Sequence, residues 1–388
     1  MSRRVILITL DGVGVGALPD ADRYGDAEAH TLLHVARASG GLRLPNLEML
    51  GLGNVEALPG VEPVSSPSAW YGKMAEVSMG KDTTTGHWEL AGLRIDQPFA
   101  CYPQGFPDEI IDKFTALTGL RPLGNCAASG TEILRELGEE HIRTGRPIVY
   151  TSSDSVFQIA AHEEVIPVER LYEICSLARQ ILDPYQVVRV IARPFVGGGA
   201  DSFERTSRRH DFSIPPCGET VLERLCAQGG QVHGIGKIHD IFAGVGLTSW
   251  ESSESDRDGF DKLLGALGSL ENGLLFVNLV DFDMRFGHRR DALGFAENLR
   301  AFDCRLPELM DKLTPSDLLI ITADHGCDPT TPGTDHSREY VPLLIWRCGT
   351  TGGGPLGVRE SFCDVAATIA DWFGIEADYG RSMVPELG

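Results

Sequence analysis

Asp317-Leu-Leu-Ile-Ile-Thr-Ala-Asp-His-Gly326, continuing as Cys-Asp-Pro-Thr-Thr-Pro-Gly-Thr-Asp335-His336, is the stretch that decides the fold. Leu318 to Ile321 is a short apolar run of the kind that fills a buried strand. Asp324 and His325 follow at once, and Gly326 frees the backbone to turn sharply. Side chains alternate between the two faces of a strand, so these adjacent residues can serve one site only beyond the strand's end. Pro329, Pro332 and Gly333 then read as a rigid turn that returns His336 to the same spot.

Two other stretches repeat the pattern. Val5-Ile-Leu-Ile-Thr-Leu-Asp11-Gly12 is an apolar run closing on an acid. Leu274-Leu-Phe-Val-Asn-Leu-Val-Asp-Phe-Asp283 is another, with His288 five residues further on. The chain therefore reads as α/β with a central, mostly parallel sheet, in which ligands bind outside the carboxyl ends of the strands. Asp11, Asp283 and Asp324 at that edge, with His288, His325 and His336 close by, make a candidate two-metal site. One such acid alone is more simply a helix or turn cap. Three of them, two closely followed by histidines, outweigh that simpler account.

Composition bounds the rest. The 388 residues have room for two domains, and the 42% apolar and 23% charged fractions are those of a soluble globular protein. Lysine and arginine total 34 against 55 acids, a formal charge of −21 that argues against nucleic-acid binding and against a basic membrane face. An acidic chain that handles phosphate needs local metals or arginines to offset repulsion. The nine cysteines are odd in number and scattered, without a C-x-x-C pair, which suits reduced thiols in a cytoplasm. No run approaches the roughly 20 apolar residues of a membrane span. Met1-Ser-Arg-Arg before Val5–Leu10 has the look of a signal peptide, but Asp11 and Gly12 interrupt it too early.

In chain order, helical spacing is expected over 29–39, over Pro45–Gly51 with Asn46 as its cap, and over 291–313, where Pro307 is a possible interruption. A strand over 70–77 leads into Gly80-Lys-Asp-Thr-Thr-Thr-Gly-His-Trp-Glu89, read as a polar loop before a helix beginning near Trp88. A threonine at a helix N-terminus lies where N–H groups and the dipole favour an anion, or is simply an N-cap. From 98 to 216 the character changes. Helical patterns at 108–118, 131–144 and 168–182 alternate with strands at 148–151 and 187–192, and arginines gather: Arg189, Arg193, Arg205, Arg208 and Arg209. This region reads as a separate α/β domain inserted into the one formed by 1–97 and 217–388. Its arginines are candidate phosphate holders, because guanidinium forks match phosphate oxygens. Ser152, Ser153 and Asp154 are candidates for sugar hydroxyls.

Asp and His ligands with no cysteine among them suit Mn²⁺, Fe²⁺ or Zn²⁺, and an oxygen-rich set leans toward Mn²⁺. Two such ions clamp the oxygens of an in-line phosphoryl displacement, and a threonine hydroxyl beside them becomes a nucleophile. This leaves open which threonine reacts, and whether water or a sugar accepts the phosphoryl group.

Three segments carry a resemblance: 80–89, Val280-Asp-Phe-Asp-Met-Arg-Phe-Gly-His-Arg-Arg-Asp291, and Ala323 through Tyr340. They closely resemble the signature segments of the bacterial phosphopentomutases, in the alkaline-phosphatase-like metalloenzyme superfamily. Gly130-Thr-Glu-Ile-Leu, Tyr150-Thr-Ser-Ser-Asp-Ser, Ala160-Ala-His-Glu-Glu and Ile191-Ala-Arg-Pro-Phe-Val-Gly match as well. The resemblance implies an alkaline-phosphatase-like core with two Mn²⁺, a cap that holds the sugar phosphate, and Thr83 as the phosphorylated nucleophile. It implies Asp11, Thr83, Asp324 and His325 at one metal, and Asp283, His288 and His336 at the other. Ser152, Asp154, Arg189, and Arg205 or Arg209 are the matching substrate contacts. The reaction implied interconverts α-D-ribose (or deoxyribose) 1-phosphate and the 5-phosphate, with a sugar bisphosphate as intermediate and activator. Thr84 departs from the family's usual Met, Gly12 from its Ser and Cys327 from its Asn, and none of the three is an implied ligand. A phosphatase or phosphodiesterase of the same superfamily is the nearest rival, and a non-catalytic metal-binding protein a more distant one.

Overall fold

Strands are what the apolar runs become. In chain order they are β1 (Arg4–Leu10), β2 (Trp70–Met74), β3 (Leu123–Ala127), β4 (Ile148–Thr151), β5 (Val156–His162), β6 (Arg189–Val196), β7 (Glu204–Arg205), β8 (His210–Ser213), β9 (Gln231–Ile235), β10 (Ser249–Glu251), β11 (Gly273–Leu279), β12 (Asp317–Thr322), β13 (Val341–Arg347) and β14 (Pro355–Arg359). This computed structural model describes residues 3–152, 155–350 and 352–387. The chain divides into two units, Met1–Gln97 with Pro216–Gly388, and Pro98–Pro215.

The first unit carries an eight-stranded sheet in the order β10-β9-β11-β1-β12-β13-β2-β14. From β10 to β12 neighbouring strands are parallel, and β13 runs antiparallel to both of its neighbours. Both β11 and β12 are buried along their whole length, and β1 is buried from Val5 onward, as befits parallel strands covered on both faces. Register does the positioning. Leu10 pairs with Leu279 and Thr9 with Thr322, so the residues that follow the three strands leave the sheet at one edge.

Local chemistry moved several expected boundaries. β2 stops at Met74: Ala75 N–H makes the last ladder bond, to Arg359 O of β14, and the N–H groups of Val77 and Ser78 turn away to the Glu89 carboxylate. The helix Pro45–Leu50 starts on Pro45 with Leu44 as its cap, not Asn46. Asn46 works further away, donating through Nδ2 to the Asp303 carbonyl at 2.9 Å. That carbonyl is the one Pro307, lacking an N–H, cannot bond. The helix Ala292–Met310 accordingly runs through Pro307 without a break.

The second unit has its own six-stranded sheet, β3-β4-β5-β6-β7 with β8 paired to β6. Helices Asp108–Thr118 and Val168–Leu182 pack on it around Phe114, Phe157, Leu171 and Ile174. A smaller cluster of Ile133, Leu134, Tyr150 and Phe195 lies under helix Gly130–Thr144. β5 is entirely buried although it carries Gln158 and His162, which hid it from a reading by alternation. No described helix is long and apolar enough to cross a membrane.

Candidate metal centre

Asp11 follows β1 directly, Asp324 lies two residues beyond β12, and Asp283 sits in a π-helical turn, Phe282–Gly287, after β11. The shared strand-end register brings all three to one place. The π turn is closed by His288 N–H on Asp283 O at 3.0 Å, which keeps the two side chains together. His336 returns by a loop that closes on itself: Gly326 N–H bonds Ser337 O at 3.1 Å and Ser337 N–H bonds Gly326 O at 2.7 Å.

The charged atoms converge. His325 Nε2 is 3.3 Å from both Asp11 Oδ1 and Asp324 Oδ2. Asp283 Oδ1 is 3.3 Å from His288 Nε2 and 3.5 Å from His336 Nε2. The His336 ring lies against both others, with centroids 4.2 Å from His325 and 4.8 Å from His288. Two of the rings are oriented from behind. His325 Nδ1 faces Gly326 O at 3.0 Å and His288 Nδ1 faces Thr334 O at 2.6 Å; a carbonyl only accepts, so each Nδ1 carries the proton and each Nε2 points inward.

Burial opposes ionisation of Asp283, yet His288 and His336 hold its pKa well below the usual carboxylate range. For Asp11 burial likewise opposes, and the Lys237 ammonium prevails and lowers it. Burial also disfavours charge on His325, but the Asp324, Asp11 and Asp283 carboxylates raise its pKa well above the ordinary value.

Whether these residues fit metal is answered by their unused atoms. Asp11 Oδ1, Asp283 Oδ1 and Asp324 Oδ2 are buried and accept no hydrogen bond, a costly state unless a cation takes them. Donor atoms of Asp11, Asp324 and His325 lie within 4.8 Å of one another, as do those of Asp283, His325 and His336. The set fits a pair of divalent ions.

The Thr-Thr-Thr run is not a loop. A helix, Thr83–Leu90, begins at Thr83 itself, with Asp82 as N-cap. Asp82 Oδ1 accepts from Thr84 N–H at 2.9 Å and Thr85 N–H at 3.2 Å, while Thr85 Oγ1 returns to Asp82 O at 2.9 Å. This capping box removes both amides from the service of any outside anion. It also commits the Thr85 hydroxyl. Thr83 Oγ1 instead lies 3.1 Å from His325 Nε2, and the residue is 4% exposed. Gly86 makes the close approach possible, since a Cβ there would fall 2.1 Å from Asp324 O.

Several participants escaped the sequence reading. Lys237 reaches in from beyond β9, its Nζ 2.8 Å from Asp11 Oδ2 and 3.6 Å from Asp283 Oδ2. Asn278 Nδ2 donates to Asp11 Oδ2 at 3.2 Å. His87, buried and stacked on Phe276, sets Nδ1 2.9 Å from Thr83 O and 3.0 Å from Asp324 Oδ2. Asp256 and Asp281 exchange N–H···carboxylate bonds of 2.9 and 2.8 Å and so pin the approach to the π turn. Burial pushes the Asp256 carboxyl up to about 7. Cys327 is the residue most at odds with the expectation of a cysteine-free centre: its Sγ belongs with Asp283 and His288 to a third group of donor atoms within 4.8 Å of one another. Lys237 and Asp256 arrive from other elements without a short-range sequence signal, whereas His87, Asn278, Asp281 and Cys327 lie inside the quoted segments and only the folded geometry shows what they touch.

In the second unit, Arg209 grips Asp211 with a bidentate fork, Nε to Oδ1 at 2.7 Å and Nη2 to Oδ2 at 2.6 Å, and Arg189 Nη1 lies 3.7 Å from the same carboxylate. Burial works against the Asp211 charge, but Arg209 and Arg189 lower its pKa to about 2. Arg193 donates to Gln158 at 3.0 Å, and burial with Arg209 nearby lowers its pKa to about 10. Arg205 lies at the N-terminus of helix Gly130–Thr144, where a Cβ on Gly130 would meet its Nη1 at 2.9 Å and the Tyr150 hydroxyl at 2.8 Å. That hydroxyl is buried without a hydrogen bond. Ser152 is half-buried just past β4, and Asp154 lies outside the described residues.

A family profile described as the Metalloenzyme superfamily matches residues 3–377. The chain is 61% identical over 385 residues to a phosphopentomutase of Syntrophotalea carbinolica, covering 99% of this chain and 98% of the relative. It is 55% identical over 386 residues to one of Carboxydothermus hydrogenoformans, covering 99% of each. A solved structure of a protein from Pyrococcus horikoshii is similar with a TM-score of 0.50 at 15% identity, over 98% of this chain and 100% of that one, a likeness of fold alone.

Proposed function

The chain belongs to the phosphopentomutases, within the metalloenzyme superfamily, and from that membership we propose how its own residues move a phosphoryl group within a pentose phosphate. It is an isomerase, an intramolecular phosphotransferase, with an alkaline-phosphatase-like core that binds divalent metal. The reaction proposed interconverts α-D-ribose 1-phosphate, or its 2-deoxy counterpart, with the 5-phosphate.

Thr83 is the nucleophile in this reading. The observation that carries it is the 3.1 Å approach of Thr83 Oγ1 to His325 Nε2, while the Thr85 hydroxyl is bound into the helix cap. Phosphothreonine 83 gives its phosphoryl group to the free hydroxyl of the sugar monophosphate. The P–Oγ bond breaks as the new P–O bond forms, and the proton of the attacking hydroxyl ends on the departing Thr83 Oγ1. The bisphosphate then reorients and returns its other phosphoryl group to Thr83, and for that reason a sugar bisphosphate activates the enzyme. Asp11, Thr83, Asp324 and His325 would hold one Mn²⁺ and Asp283, His288 and His336 a second, and the pair would supply Lewis acidity to the phosphoryl oxygens and the attacking hydroxyl.

The other residues shape the field. Asp82 occupies the Thr84 and Thr85 amides, and the Lys237 ammonium brings a positive charge of the protein to Asp11 and Asp283. Asn278 fixes the Asp11 carboxylate, and His87 ties the Thr83 backbone to Asp324. The second unit is proposed to hold the sugar and the phosphate that is not moving, through Ser152, Asp154, Arg189, Arg205 and Arg209. Support comes from the Arg205 guanidinium and the unbonded Tyr150 hydroxyl at a helix N-terminus, where phosphate is favoured. Nine scattered cysteines without a C-x-x-C pair suit work in a reducing cytoplasm.

The test is product analysis. Ribose 1-phosphate should become the 5-phosphate with almost no free phosphate, and incubation with ribose 1,5-bisphosphate should leave phosphate on the Thr83 peptide. Net hydrolysis, or phosphate on Thr85, overturns the reading.

A further inference from the structure

We propose that Cys327 is itself a ligand of the cation held by Asp283 and His288, giving that half of the centre a sulfur donor and hence a stronger hold on thiophilic divalent ions than its Asp and His ligands alone would have. The proposal rests on the two-cation reading above and adds to it a donor that the Asp and His pattern does not contain.

Four observations converge on it. Cys327 Sγ, Asp283 and His288 offer donor atoms within 4.8 Å of one another, with Sγ 3.9 Å from His288 Nδ1, the nitrogen that faces Thr334 O. Asp283 is 3% exposed and its Oδ1 accepts no hydrogen bond, so a buried, unpartnered acceptor faces the same point as the thiol. The backbone leaves room for sulfur there: a Cβ on Gly287 would fall 2.5 Å from Cys327 Sγ, and one on Gly12 would fall 2.8 Å from Cys327 Cβ. Finally, the thiol is aimed rather than loose. Cys327 N–H donates to Thr31 Oγ1 at 3.2 Å, and that hydroxyl donates to Glu339 at 2.6 Å, which fixes the direction of the Cα–Cβ bond.

Ligation would release the thiol proton to solvent and leave a metal–sulfur bond in its place. Thiolate is a soft donor that selects zinc-class ions, whereas a carboxylate and imidazole set alone leans to harder ions such as Mn²⁺. A chain with Cys327 in this position should therefore rank metals differently from the same chain with an oxygen or amide there.

Cobalt reports the difference directly. Full-length protein stripped by chelation and reloaded with Co²⁺ should show a near-ultraviolet thiolate-to-cobalt charge-transfer band. The band should vanish in Cys327→Ser and in Cys327→Asn, and persist in Cys304→Ser, whose thiol is exposed. Competition of Zn²⁺ against Mn²⁺ should shift toward Mn²⁺ by about tenfold or more in both Cys327 variants. Cobalt bound to wild type without the band overturns the proposal while leaving the metal centre intact, and this result needs no variant to fold. Failure to bind cobalt at all overturns both readings. A band that survives Cys327→Ser also overturns it.

Discussion

The two units gather charge of opposite sign, and they do so by different means. In the first, three carboxylates and three histidines are held by strand ends and a closed loop, and three carboxylate oxygens have no hydrogen-bond partner. In the second, Arg189, Arg193, Arg205 and Arg209 crowd one region of the sheet, and the chain's own Asp211 and Gln158 take part of their charge. The acidic cluster is incomplete without an outside cation. The basic one is partly satisfied already by Asp211. Rigid strand-end geometry suits the bond-making role proposed for the first, and a pre-paired arginine cluster suits the phosphate grip proposed for the second.

The comparison breaks first at the acidic cluster, where the largest effects are expected. Chelation should reduce turnover to background, and Mn²⁺ should restore it better than Ca²⁺, whose larger, looser coordination suits an all-oxygen cage. Hydrogen exchange should show added protection on metal binding around 11–12, 281–288 and 324–336, and little change across 98–215. Full activity in metal-free protein, or equal protection in both units, would erase the distinction. Thr83→Ala should lower turnover by about six orders of magnitude, the scale of a lost nucleophile, with at least one metal still bound. Thr84→Ala should stay substantially active. Robust turnover by Thr83→Ala would move the chemistry to another residue.

How legible each region was follows from the same contrast. Apolar runs of four to six residues ending in Asp need only local reading, and parallel register then brings Asp11, Asp283 and Asp324 level without further information. The residues that complete their surroundings come from elsewhere. Lys237 belongs to a turn after β9, Asn278 hides inside an apolar strand, and His87 depends on a helix that begins at Thr83 rather than near Trp88. Propensity hid that helix, because three successive threonines are poor helix formers and only the Asp82 capping box starts it. Pro307 misled for the opposite reason: its cost is offset by Asn46, far away in sequence. In the second unit the arginines could be seen but their pairing could not, since nothing local marks Asp211 as the carboxylate on which Arg189 and Arg209 meet.

Removing one of those arginines should have a smaller effect than any change to the acidic cluster. Arg189→Ala is expected to lower kcat/KM by roughly ten- to a hundredfold, because a charge-assisted hydrogen bond is worth about 1.5–3 kcal/mol, while bound metal, measured by elemental analysis, stays unchanged. An unchanged kcat/KM would place the phosphate grip elsewhere. A loss of metal would mean that the two clusters are not separable.

The smallest expected effect is the most informative about the basic cluster, and it lies with Asp211. Its carboxyl titrates at about 2 in the folded chain against an ordinary 3.8, because the Arg209 fork and Arg189 together outweigh the penalty of burial. A gap of nearly two pH units corresponds to about 2 kcal/mol. Arg209 is 35% exposed, so solvent screening reduces this toward about 1 kcal/mol. Because the folded pKa is the lower one, the unfolded chain binds the proton first as pH falls. The stabilisation is therefore complete above about pH 4 and disappears as pH drops through about 2. Asp211→Asn should cost about 1 kcal/mol at pH 7 by denaturant unfolding, and the difference from wild type should shrink steadily between pH 4 and pH 2. The same variant removes the carboxylate between Arg209 and Arg189, so added inorganic phosphate should stabilise it more than it stabilises wild type. If the gap to wild type is constant with pH, Asp211 acts through packing rather than charge. If phosphate then stabilises both proteins equally, the arginines are a structural ion cluster rather than an anion grip, and the contrast between the two units fails on the basic side.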